Sequence, residues 1–188
     1  AVGKAFGPIM LLWFIVLGGL GVSSINHLKS REIDHRMIDV DQRLKRLEEK
    51  AATITGNTVI VLHQIGSHGP SYWLRYPQDA EVFSPACKTP ELTDCSTEEI
   101  VNAYDNTIAY TDWFLAQVID QLDASDRVIP AMYYVSDHGE SLGEGGLYLH
   151  GTPYFMAPEY QTRVPMVLWM SQRFRDSLGV DAGCLKAK

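Results

Sequence analysis

Ala131-Met132-Tyr133-Tyr134-Val135, followed at once by Ser136-Asp137-His138-Gly139-Glu140-Ser141, is the stretch that decides the fold. Five residues of strand-forming type end abruptly in a polar cluster, which reads as a strand delivering chemistry at its carboxyl end. Upstream, Ser96-Thr97-Glu98-Glu99 opens a helix, with Ser96 or Thr97 as N-cap and Glu99 in the capping-box position for Ser96. Ile100, Tyr104, Ile108, Leu115, Ile119 and Leu122 fall on one face of that helix, with Thr111 as the polar member of the stripe. Further upstream, Thr58-Val59-Ile60-Val61-Leu62 after Gly56-Asn57 has the β-branched content of a buried strand. Downstream, residues 164–170 read as a third. Strand, long helix, strand is the βαβ pattern, so the expected class is α/β with a parallel sheet covered by helices.

Ligands in such sheets bind beyond the carboxyl ends of the strands. His63 and then Gly66-Ser67-His68-Gly69 follow the first expected strand, and Asp137, His138, Gly139 and Glu140 follow the second. His150 comes soon after, in Tyr148-Leu149-His150-Gly151. Four of the six histidines therefore gather by topology at one edge. Histidine and carboxylate ligands suit Zn²⁺, whose catalytic sites hold a few protein ligands and leave a position open. A single loop histidine is more often a hydrogen-bonded surface residue, and an Asp-His pair can simply cap a turn. Turn chemistry, however, does not require both clusters at once.

The beginning of the chain differs in kind. Ala5 to Asn26 holds 22 residues without a charge. At 1.5 Å per residue that is roughly 33 Å, enough to cross a bilayer core. One transmembrane helix is therefore expected within residues 1–27, glycines 18, 19 and 21 notwithstanding. A signal peptide fits less well, because the stretch is long and the small residues near Ser23-Ser24 form a loose cleavage pattern. Ile33, Met37, Val40, Leu44 and Leu47 then repeat at helical spacing, which makes residues 28–55 an amphipathic helical linker. Residues 56–188 form the remaining domain. A net charge of −7 and pI near 5.3 leave no basic face for nucleic acid.

Several stretches resemble one family, the lipid A phosphoethanolamine transferases, which include the mobile colistin-resistance enzymes. They are Val59-Ile60-Val61-Leu62-His63-Gln64-Ile65-Gly66-Ser67-His68-Gly69-Pro70, Val101-Asn102-Ala103-Tyr104-Asp105-Asn106-Thr107, Tyr134-Val135-Ser136-Asp137-His138-Gly139-Glu140-Ser141-Leu142-Gly143-Glu144 and Tyr148-Leu149-His150-Gly151. The likeness runs in one continuous order from about Gly56 onward, and the wider fold it implies is that of sulfatases and alkaline phosphatases. The apolar head separately resembles a membrane segment of the Kup-type potassium permeases over some twenty residues, although one span cannot build a conduction path.

The phosphoethanolamine transferase resemblance implies zinc-dependent transfer of phosphoethanolamine from phosphatidylethanolamine to a lipid A phosphate, by way of a threonine. It makes Asp137 and His138 ligands of the nucleophile-side zinc. His68 and His150 would face the donor or acceptor phosphate and can hold a second zinc, and His63 would lie near the bound phosphoethanolamine. It also implies a Cys87–Cys95 disulfide and hence an oxidising compartment: the periplasmic side of a bacterial inner membrane. Lys29, Arg31, Arg36, Arg43, Lys45 and Arg46 behind the apolar span would by the positive-inside rule face the cytoplasm, and the family reading is preferred to that signal. The family's acidic zinc ligand and its threonine have no match before Gly56, so the chain by itself is expected to be nearly inactive. A formylglycine sulfatase would need Cys or Ser in a Cys/Ser-x-Pro-x-Arg context, which this chain lacks. The other rival is a membrane-tethered metal-binding module without turnover.

Overall fold

The computed structural model describes residues 40–180. Their elements are α1 (Val40–Thr53), α2 (Thr97–Asp123), β1 (Ala131–Val135), β2 (Ser141–Leu142), β3 (Tyr148–Leu149), α3 (Glu159–Thr162), β4 (Met166–Met170) and α4 (Gln172–Leu178), with short 3₁₀ turns between α1 and α2. The span expected at 1–27 and the first part of the helical linker expected at 28–55 lie outside the described residues. No described helix is long and apolar enough to cross a membrane.

α2 begins where its sequence places it. The Ser96 hydroxyl accepts from the Glu99 N–H at 3.3 Å, and the Glu99 carboxylate accepts from the Ser96 N–H at 2.8 Å. Two orphan donors of the first turn are thus satisfied reciprocally, and the Ser96 N–H and hydroxyl, both donating to the Glu99 carboxylate, hold that exposed group below the usual carboxylate range. The buried face of α2 differs from the expected stripe. Ile100, Ala103, Asn106, Thr107, Phe114 and Val118 are buried, whereas Ile108 is 45% exposed. The reason is that α2 serves two clusters rather than one sheet. Ile100 and Ala103 pack with Tyr72, Cys87 and Leu92, while Phe114 and Val118 pack with Leu47 of α1 and with Ile60, Leu62 and Met132.

Two expectations are corrected. Residues 58–62 form no strand. Val59 and Val61 stand 89% and 81% exposed, while Ile60 and Leu62 lie against the α1–α2 cluster. The period-two alternation survives, but β-branched composition only favours an extended backbone, and a strand also needs a neighbour to bond. The second correction is the parallel sheet. β1 pairs with β4 antiparallel, Tyr133 opposite Leu168 and Val135 opposite Met166, and β2 pairs antiparallel with β3. A parallel return needs a crossover, usually a helix. Between β1 and β4 the only α-helix is the four-residue α3, too short for a crossover, so the chain comes back alongside itself. Ser136 N–H to Pro165 O at 3.4 Å and Ser171 N–H to Pro130 O at 3.1 Å extend the ladder at both ends.

Cys87 and Cys95 are joined as a disulfide, and Cys87 is buried in the first cluster. The bridge closes a short loop, so replacing both cysteines by serine is expected to lower the unfolding free energy by about 2.5 kcal/mol on chain-entropy grounds. Urea denaturation of the two proteins measures this. A loss below about 0.5 kcal/mol would mean that the packing of Leu92 and Ile100 alone holds the loop.

Candidate metal centre

Three histidines reach one place from three loops. His68 comes from the loop ahead of α2, His138 from the turn after β1, and His150 from the residue after β3. Their ligand-capable atoms all lie within 4.8 Å of one another. The rings of His138 and His150 stack at 3.8 Å between centroids, and His68 meets His150 edge-on at 4.8 Å.

Each ring is held at Nδ1 by an oxygen. His68 Nδ1 lies 2.8 Å from Gly69 O, His138 Nδ1 lies 2.8 Å from Gly139 O, and His150 Nδ1 lies 2.7 Å from Glu140 Oε1. A carbonyl or carboxylate oxygen can only accept, so Nδ1 carries the proton in all three rings. In the neutral rings the Nε2 lone pairs are left available, which is the arrangement expected of metal-binding histidines with an oriented second bond.

At Gly139, the residue after His138, backbone contact requires glycine. A Cβ at Gly139 would come within 2.0 Å of the Tyr160 carbonyl oxygen, and the Gly139 N–H donates to Gln161 O at 2.9 Å. A Cβ at Gly69 would strike Leu149 and the Tyr72 ring at 2.6–2.9 Å. Leu149 itself has φ of 64°, in the left-handed region that side chains rarely adopt, one residue before His150. Beneath the site, buried Gln161 donates to Ser141 Oγ at 3.0 Å and accepts from Thr152 N–H at 3.3 Å. Burial, and second the Glu140 charge, push the Tyr72 phenol well above its ordinary range and raise that of Tyr104.

The Asp137 carboxylate is largely exposed, accepts from the His138 N–H at 3.1 Å, and lies 3.8 Å from His138 Nε2. A tetrahedral zinc with bonds of about 2.0–2.1 Å sets its ligand atoms about 3.3 Å apart, so Asp137 is within a small side-chain adjustment of sharing an ion with His138. Asp137, His138 and His150 line one open cleft of about 360 Å³, together with Tyr154, Ala157 and Gln161. His63 is exposed, outside both the trio and the cleft lining. Glu140 was legible only as part of the Asp-His-Gly-Glu run, and nothing in the sequence marks Gln161 as a support of the site.

A model of the sulfatase family matches residues 26–183. The chain belongs to the sulfatase family. Within the family its relatives are phosphoethanolamine transferases. It is 48% identical over 141 residues to phosphoethanolamine transferase EptA of Escherichia coli K12, covering 74% of this chain and 26% of the relative. To phosphatidylethanolamine transferase Mcr-1 of Escherichia coli it is 45% identical over 124 residues, 65% of this chain and 23% of the relative. Among solved structures it resembles the soluble domain of lipooligosaccharide phosphoethanolamine transferase A from Neisseria meningitidis, with a TM-score of 0.74, 46% identity, and coverage of 77% of this chain and 43% of that one. The chain thus spans about a quarter of the length of the curated relatives it matches. The sulfatase-like fold expected from the sequence is borne out, the family match includes α1, and Leu47 of α1 packs with Phe114 and Val118 of α2.

Proposed function

We propose that this chain supplies the Asp137, His138, His68 and His150 side of a zinc centre for phosphoethanolamine transfer. The observation that carries the reading is the convergence of three histidines whose Nδ1 atoms are all committed to oxygen acceptors. Such a donor set fits zinc, which accepts imidazole and carboxylate together. When bound, zinc would lower the pKa of a nucleophilic hydroxyl and draw charge from a phosphate. Asp137 and His138 would hold it at the mouth of the cleft. His68 and His150 present Nε2 atoms that can bind a second ion or, when protonated, donate to phosphate oxygens. His63 is proposed to lie near the bound phosphoethanolamine group.

The donor this reading implies is phosphatidylethanolamine, the acceptor a lipid A phosphate, and the covalent intermediate a phosphoethanolaminyl threonine. That threonine and the acidic zinc ligand have no match in residues 1–55, so the chain alone is expected to bind zinc and to turn over no donor. The disulfide supports an oxidising compartment, and we place this domain on the periplasmic side of the inner membrane, tethered through residues 1–27.

Elemental analysis after dialysis against zinc tests the reading. The wild-type chain is expected to retain about one zinc, and Asp137→Ala/His138→Ala to retain less than about a tenth of that. A wild-type chain that holds no zinc, or a double variant that holds as much, would overturn it.

A further inference from the structure

The three histidines are not held alike. His68 and His138 each rest on the carbonyl of the residue that follows, Gly69 and Gly139, a partner the backbone supplies locally. His150 rests on a side chain ten residues away, that of Glu140. The Glu140 carboxylate is 3% exposed: Oε1 lies 2.7 Å from His150 Nδ1, Oε2 accepts from the Gly69 N–H at 3.1 Å, and the buried Tyr72 phenol lies against the same group. Among the described residues no lysine or arginine pairs with it. A carboxylate taken out of water is costly unless its oxygens are bonded, and the bonds to His150 and Gly69 each run to an element that carries a histidine of the trio. Gly69 follows His68 and is itself wedged against Leu149, the residue before His150.

We propose that Glu140 is a positioning residue that fastens His150 and the His68 loop to the turn bearing His138, so that the metal-binding competence of the trio depends on one buried carboxylate. This rests on the zinc reading above. Glu140 fixes the proton of His150 on Nδ1 and leaves Nε2 free, while its other oxygen sets how closely the His68 loop approaches. Without it His68 and His138 keep their local acceptors, but His150 loses the acceptor of its Nδ1 proton and its loop loses the tie to Gly69.

The test uses the full 188-residue chain and zinc alone. Competition titration against a chelator is expected to show zinc binding weakened about 10–100-fold in Glu140→Ala. Glu140→Gln keeps one acceptor, presents an N–H₂ in place of the other, and is expected to fall between. A second readout follows the His150 ring nitrogens by ¹⁵N NMR without metal. Wild type should show the proton on Nδ1, and Glu140→Ala a shift towards Nε2–H, with His68 and His138 unchanged. Should Glu140→Ala fail to fold, the isosteric Glu140→Gln carries both measurements. Unchanged zinc affinity together with an unchanged His150 tautomer overturns the proposal. If wild type binds no zinc the metal reading falls, and the tautomer still decides whether Glu140 positions His150.

Discussion

Gly139→Ala is expected to destabilise the domain by about 3 kcal/mol, the upper end of overpacking, and to weaken zinc binding at least about tenfold. The added methyl would lie 2.0 Å from the Tyr160 carbonyl oxygen and 3.3 Å from that of Arg163. Both neighbours are backbone, so no side-chain rotation relieves the contact, and either the turn after β1 or α3 must move. Moving α3 breaks the 2.9 Å bond from Gly139 N–H to Gln161 O, and with it the support Gln161 gives to Ser141 and Thr152. Moving the turn displaces His138 and Glu140, which flank the glycine on either side. Gly56→Ala is the control. A Cβ there meets nothing within 4 Å, and it should change stability by less than about 0.5 kcal/mol. Urea denaturation with zinc titration of the three proteins decides it. Equal stability of Gly139→Ala and wild type would mean that α3 does not approach the turn this closely.

What could be read in the sequence was mainly what is local. The start of α2 rests on Ser96 and Glu99, three residues apart, and its hydrogen bonds form as the capping pattern requires. β1 is a run of strand formers and forms at the expected residues. Two members of the histidine cluster were legible as strand ends, His138 after β1 and His150 after β3, whereas His68 sits in a loop with no strand ahead of it. What failed was whatever depends on a distant partner. Residues 58–62 have strand composition, but their ladder requires a neighbouring strand, and composition does not name one. The direction of β4 depended on whether the chain between residues 136 and 165 holds a helix long enough to cross the sheet, and it does not. The Glu140 bond to Gly69 spans 71 residues, and no pattern in either segment announces it.

The same limit explains why the stripe on α2 was misjudged, and it leads to the second large effect. Hydrophobic spacing drew the buried face through Ile108, yet the residue that is fully buried there is Asn106. Its side chain uses its whole bonding capacity. Oδ1 accepts from the Val82 and Phe83 N–H groups at 2.7 and 2.8 Å, and Nδ2 donates to Phe83 O at 2.9 Å and to the Tyr76 hydroxyl at 3.2 Å. One amide therefore replaces the backbone partners that an irregular segment cannot supply for itself, and pins that segment to α2. Asn106→Ala strands two donors and a carbonyl of the backbone at once. At about 1–3 kcal/mol for each unsatisfied buried group, reduced because water reaches the Val82–Phe83 edge, the loss is expected to be about 4 kcal/mol. Asn102→Ala, one turn earlier, removes a single bond to Pro85 O at 2.9 Å on an exposed edge and should cost about 1 kcal/mol. Denaturant unfolding of both variants separates the two explanations for a buried polar residue in an apolar face. If they cost the same, Asn106 only fills volume, and the segment around Phe83 holds its conformation without it. A difference of about 3 kcal/mol shows that α2 orders the chain ahead of the disulfide through this one side chain.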